Sequence, residues 1–147
     1  HLASTAGTHL NTILIENKEN TNLRPDFLIL VYPVISFTRA KVNATIAKLL
    51  GPNPPEDSLN FFSNEKHVTA NTPPTFLLHA GDDLRVSAEH SLLFYEALQQ
   101  AKVNAEFHIL QNGGHGFGLE HETRGDQWFS WCIDWLNENG FGNKVSK

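Results

Sequence analysis

Two loops hold the side chains with the most chemistry to offer. The apolar run TFLLHA at 75–80 leads into GDDLRV, which sets Asp82 beside Asp83. The run EFHILQ at 106–111 leads into NGGHGFG, which sets His115 between Gly114 and Gly116. A histidine acting as general base needs one ring nitrogen held by a carboxylate, so that the other faces the nucleophile. An acid after one strand and a histidine after the next would be the second half of a Ser–Asp–His relay in that chain order. Each piece also has a plainer reading. Asp in loops forms turns and caps helices, and a histidine between glycines fits a tight, exposed turn. Asp82 and Asp83 compete for the orienting role. His79, His90, His108 and His121 are weaker candidates, and His79 and His108 lie in strands, where packing or surface roles are expected. His115 and His121 have no third ligand at a convincing spacing, so no metal site is expected.

Both loops need a scaffold that brings them to one edge. Phe27 to Tyr32 is a continuous apolar run, which suits a strand buried on both faces of a parallel sheet. A helix is predicted over about 40–50, ended by Gly51. A Pro-rich loop then leads into a short helix, with Pro55 near its first turn and acids just after it. Pro73 and Pro74 introduce the second strand. Ser87 is a candidate N-cap for a helix whose inward stripe reads as Ala88, Leu92, Tyr95 and Leu98. In the third strand Ala105, Phe107 and Ile109 face one way, and Glu106, His108 and Leu110 the other. From about Glu122 a last amphipathic helix turns Trp128, Cys132, Trp135 and Leu136 inward and stops at Asn139-Gly140. Strands alternating with helices imply βαβ crossovers and a parallel sheet, with ligands bound beyond the carboxyl ends of the strands.

The bulk composition narrows the classes. A chain of 147 residues with 40% hydrophobic residues, ten Phe and three Trp supports one domain with a real core. A net charge of −5, with both signs interspersed, gives no electrostatic reason to expect nucleic acid or an anionic membrane as partner. No apolar run reaches the roughly 18–20 residues of a membrane span. The single cysteine, Cys132, excludes an internal disulfide and a Cys-based zinc site. Its aromatic neighbours mark it as a buried structural thiol. Export and a cytoplasmic location both fit this composition.

The segment PPTFLLHAGDDLRVSAEHSLLFYEALQQAKVNAEFHILQNGGHGFGL resembles the C-terminal part of bacterial α/β-hydrolases of the carbohydrate-esterase and lipase type, grouped with acetylxylan esterases. That family places its acid in a segment of the form H-[GA]-x-x-D-x-x-V, which here runs from His79 and Ala80 through Asp83 to Val86. Asp82 falls at a variable position of the pattern. The family's histidine loop, G-G-H-G-F, matches Gly113 to Phe117 and picks His115. The likeness extends across most of the chain, including LVYPVIS and the Pro-Pro strand entrance.

The resemblance also speaks to the opening HLASTAGTHL, which lacks Met and carries Leu2, Ala3, Ala6 and Leu10 at helical spacing up to about Ile15. In these enzymes the nucleophile elbow reads G-x-S-x-G-G-H-L-A-S, and HLAS looks like its tail. The resemblance therefore implies a partial α/β-hydrolase fold, a mostly parallel sheet flanked by helices. Residues 1–147 would be the C-terminal portion of a single domain whose N-terminal half, with the nucleophile elbow and oxyanion loop, lies upstream of His1. Ser4, Ser36, Ser63, Ser87 and Ser91 occupy no G-x-S-x-G setting. The implied function is hydrolysis of carboxylic esters, with small acyl groups on a carbohydrate as substrate and Asp83 and His115 as catalytic residues. No cofactor or metal is implied, and the chain alone is expected to be inactive. A non-catalytic binding or assembly module on the same scaffold, and a peptidase of the superfamily, are the other readings. The expected partners are a small ester substrate and either the missing N-terminal half or a second copy of the chain. Imidazole ordinarily titrates near about 6.5, so the whole enzyme is expected to lose activity below neutral pH.

Overall fold

A computed structural model describes residues 1–12, 16–40, 42–119 and 125–142. Its elements are helix α1 (Leu2–Thr8), strand β1 (Leu28–Val31), helices α2 (Asn43–Leu50) and α3 (Glu56–Phe61), a 3-10 turn (Asn64–His67), strand β2 (Thr75–Ala80), helix α4 (Glu89–Gln100), strand β3 (Ala105–Leu110) and helix α5 (Gly125–Glu138). The three strands form one parallel sheet in the order β1-β2-β3. Leu30 pairs with Leu77, and Leu77 with Phe107. A parallel neighbour requires a crossover. β1 returns to β2 through α2, α3 and the 3-10 turn, and β2 returns to β3 through α4.

Each face of the sheet has its own core. On one face Leu28, Leu30 and Leu77 pack with Ile35 and with Phe94, Leu98 and Val103 of the α4 segment. On the other, Phe76, Leu78, Ala80 and Leu110 pack with Phe117 and with Trp128, Cys132 and Trp135 of α5. β2 is therefore central, and all six of its residues are buried. Its apolar side chains alternate between the two cores, which is why the run reads as continuously hydrophobic. Burying each such side chain is worth roughly 1.5–3 kcal/mol.

Local signals account for the helix ends. Gly51 closes α2 with φ of +87°, and its N–H donates to the Ala47 carbonyl. Gly140 takes φ of +79° just after α5. The N-cap position of α4 is Ala88, one residue after the Ser87 expected there, and Ser87 Oγ accepts the Glu89 N–H at 3.2 Å from just outside the helix.

Three readings of the sequence need correction. α1 ends at Thr8, and residues 13–15, to which the helix was expected to run, lie outside the described residues. β1 is not buried on both faces: Leu28 and Leu30 are buried, whereas Ile29 is 36% exposed. It has β2 on one side, and among the described residues no strand on the other. The stripe on α4 is met only in part: Leu98 is buried and Tyr95 packs on the core, but Leu92 is exposed, and His90, Ser91, Leu93 and Phe94 are buried as well. Two polar groups take inward positions because partners await them. Ser91 Oγ bonds His79 Nδ1 at 2.8 Å, and His90 Nδ1 accepts the N–H groups of Ile35 and Ser36 at 3.1 Å each. Cys132 is a buried free thiol whose pKa is pushed up by desolvation.

Candidate active site

The carboxyl ends of all three strands meet at one edge. β1 ends in Tyr32, β2 in Gly81-Asp82-Asp83, and β3 in the loop at 111–119. The ladder runs on for one step at each end. Tyr32 N–H donates to the Leu78 carbonyl and Gly81 N–H to the Leu110 carbonyl, both at 2.7 Å. Parallel registry thus sets the starting points of the two loops side by side.

Asp83 and His115 are brought together. His115 Nδ1 donates to Asp83 Oδ2 at 2.7 Å. The other carboxylate oxygen, Oδ1, accepts the backbone N–H groups of Arg85 and Val86 at 2.9 Å each. The Asp83 side chain is fully buried, while that of His115 is 28% exposed. Burial pushes the Asp83 pKa up, but the Val86 N–H, the His115 imidazole and the Arg85 N–H together hold it below its usual value. A carboxylate kept ionised at the back and an imidazole reaching solvent at the front is the arrangement that a general base requires. With Nδ1 as donor, Nε2 carries the lone pair.

Asp82 has a different job. Its Oδ1 accepts the N–H groups of Gly113 and Gly114 at 2.8 Å each, so it grips the neighbouring loop by its backbone. Gly113 lies where a Cβ would stand 3.0 Å from Ala80 Cβ and 3.2 Å from Phe117 Cδ1. Gly114 and Gly116, on either side of His115, have φ of +62° and +84°, which favour glycine. Phe117 is buried beneath the turn, and Trp128 Nε1 donates to the Gly118 carbonyl at 2.9 Å.

Tyr32 was not among the sequence candidates. Its ring centroid lies 5.0 Å from those of His115 and Phe117. Its φ is +42°, a left-handed conformation that a bulky residue adopts at a cost. Only its place at the end of the first strand pointed to this edge.

Of the other histidine candidates, His79, His90 and His108 take structural places. His79 is fully buried: Nε2 donates to the Val86 carbonyl and Nδ1 accepts from Ser91, both at 2.8 Å. Desolvation lowers its pKa and keeps it neutral. Ser91, His79 and Asp83 contain the residue types of a relay, with His79 Nε2 3.4 Å from Asp83 Oδ2, yet both Ser91 and His79 are sealed from solvent. Burial pushes His90 down to about 4. His108 stacks on Trp131 and bonds Glu106 at 2.6 Å. His121 lies outside the described residues. Among the described residues, no group of three His, Cys, Asp or Glu is placed to hold a metal ion, and no helix is long and apolar enough to cross a membrane.

Comparison with known proteins gives this geometry its setting. Residues 26–141 match the prolyl oligopeptidase family. An acetylxylan esterase of Xylanibacter ruminicola is 29% identical over 140 residues, covering 92% of this chain and 28% of that protein. The endo-1,4-beta-xylanase B of Butyrivibrio fibrisolvens is 34% identical over 132 residues, covering 88% of this chain and 20% of that protein. The crystal structure of an acetyl ester-xyloside bifunctional hydrolase from Caldicellulosiruptor lactoaceticus superposes with a TM-score of 0.88 at 39% identity, covering 96% of this chain and 53% of that one. The chain thus spans between a fifth and about half the length of these relatives.

Proposed function

The chain belongs to the prolyl oligopeptidase family and has a partial α/β-hydrolase fold, and from that premise we propose that it supplies the acid and base of a serine esterase. The observation that carries the reading is the 2.7 Å bond from His115 Nδ1 to the buried Asp83 carboxylate at the carboxyl edge of the sheet. Residues 1–147 are then the C-terminal portion of one α/β-hydrolase domain, and the nucleophilic serine lies upstream of His1. The preceding half of the domain covers the open edge of β1.

In the whole enzyme His115 Nε2 takes the proton of the serine hydroxyl as its oxygen attacks the ester carbonyl. The same proton passes to the departing alcohol, leaving an acyl-serine. Water, deprotonated by His115, cleaves that intermediate and restores the serine. Asp83 holds the tautomer and stabilises the imidazolium formed in each half. The substrate class is a small acyl ester of a carbohydrate, a reading supported by similarity to an acetylxylan esterase and an acetyl ester-xyloside hydrolase. No cofactor takes part in this scheme. The chain by itself offers no nucleophile in the required setting and is expected to be silent on esters.

Amide cleavage is the second reading, because the family that matches is described by a peptidase and the relay serves both bonds. Assay of the full-length protein on acetylated xylo-oligosaccharide and on a prolyl peptide amide separates the two. Release of acetate with an inert peptide is expected; peptide cleavage with inert acetyl ester would overturn the ester reading. Activity on neither would favour a non-catalytic module.

A further inference from the structure

We infer that Asp82 is a positioning residue, whose carboxylate holds the backbone of the histidine loop so that His115 stands against Asp83. This rests on the reading of His115 as the base. The loop at 111–119 contains four glycines, three of them, Gly114, Gly116 and Gly118, at positive φ. A backbone so permissive does not fix an imidazole by itself. It is tied at its end by Trp128 to the Gly118 carbonyl and beneath by the packing of Phe117 on Tyr32. Its start, immediately before His115, is tied by Asp82 to the N–H groups of Gly113 and Gly114.

These are charge-assisted bonds to two successive amides, and both lengths are 2.8 Å. Asp82 and Asp83 are adjacent on one loop, and Gly113, Gly114 and His115 are adjacent on the other. The first acid therefore holds backbone and the second holds the side chain, and the two loops dock in a single register. Asp82 itself is exposed, on the rim of the site, and among the described residues its carboxylate bonds the backbone of Gly113 and Gly114 rather than the imidazole. Its effect on catalysis passes through where the loop puts His115.

The test compares Asp82→Ala, Asp82→Asn and His115→Ala in the full-length protein, with kcat and KM on an acetyl ester, the pH profile, and amide hydrogen exchange across 111–119. A misplaced base costs rate, so Asp82→Ala is expected to lower kcat by about 10- to 100-fold with KM within about twofold. Exchange at Gly113 and Gly114 is expected to quicken in the same variant. Asp82→Asn keeps an oxygen that accepts both N–H groups, so it is expected to recover most of kcat and to leave the acid limb of the profile in place. Unchanged kcat in Asp82→Ala beside an inactive His115→Ala would overturn the role of Asp82 alone. Equal impairment of Asp82→Ala and Asp82→Asn, with a moved acid limb, would overturn it in favour of a direct charge effect. An active His115→Ala would overturn the reading of His115 and the positioning role with it.

Discussion

Asp83 and His115 differ in burial, and under the proposed relay that difference assigns the acid to orient and the imidazole to act as base. The acid sits at the base of the loop with both oxygens engaged, two backbone N–H groups on one and His115 on the other. Replacing it with Asn would keep the shape and lose the charge that fixes the tautomer. Asp83→Asn in the full-length protein is expected to lower kcat by about 10⁴-fold on an acetyl ester. The buried groups behind the site make a separate prediction about stability. His90 titrates near about 4 in the folded chain, below the ordinary histidine value. The unfolded chain therefore binds the proton more readily between about pH 6.5 and 4. Stability is full above that window and falls through it by about 3 kcal/mol. Asp83, also held low, adds its loss only below about pH 4, as pH falls toward its folded value. Urea midpoints across pH should show a descending limb below pH 6.5 that is shallower in His90→Asn, the rest of it belonging to buried His79, whose pKa is also lowered by desolvation. Asp82 and Asp83 were indistinguishable by local turn chemistry, since each is an Asp in a loop. The motif spacing favoured Asp83, and the opposite loop shows what Asp82 bonds instead.

At the scale of elements, the order and type of helices and strands were legible because length, proline placement and apolar runs agree. The inward face of α4 was legible only in part. Counting apolar residues selects Ala88, Leu92, Tyr95 and Leu98, of which Leu98 is buried and Leu92 exposed, whereas His90 and Ser91 are buried through hydrogen bonds to residues distant in sequence. Such bonds leave no periodic trace. The two stripes predict different mutational costs. Phe94→Ala is expected to cost about 3–5 kcal/mol and Leu92→Ala within about 0.5 kcal/mol, read from urea unfolding. A large cost at Leu92 would restore the stripe read from sequence. Tyr32 was missed for a related reason: nothing in VYPV signals a left-handed tyrosine, and its contact with His115 arises only when β1 is set beside β2.

At the scale of the molecule, three parallel strands hold the site at one edge while leaving another edge of the sheet open. The apolar run of β1 predicted a strand covered on both faces; in this chain Ile29 is exposed, and β1 has one neighbour among the described residues. The chain covers 53% of one related chain, and under the proposed function the upstream half of the domain would pair with the free side of β1. Backbone amides of β1 are expected to exchange more slowly in the full-length protein than in this chain alone. Equal rates would mean that nothing pairs with that edge.

The central claim is that His115, oriented by Asp83, is the base for a serine beyond this chain. Its most direct test is the rate at which a fluorophosphonate labels the full-length protein, read by intact mass, in the wild type and in His115→Gln. A single adduct on the wild type, formed at least 10³-fold more slowly in the variant, is the expected result. Labelling at equal rates in both, or none in the wild type, would contradict it.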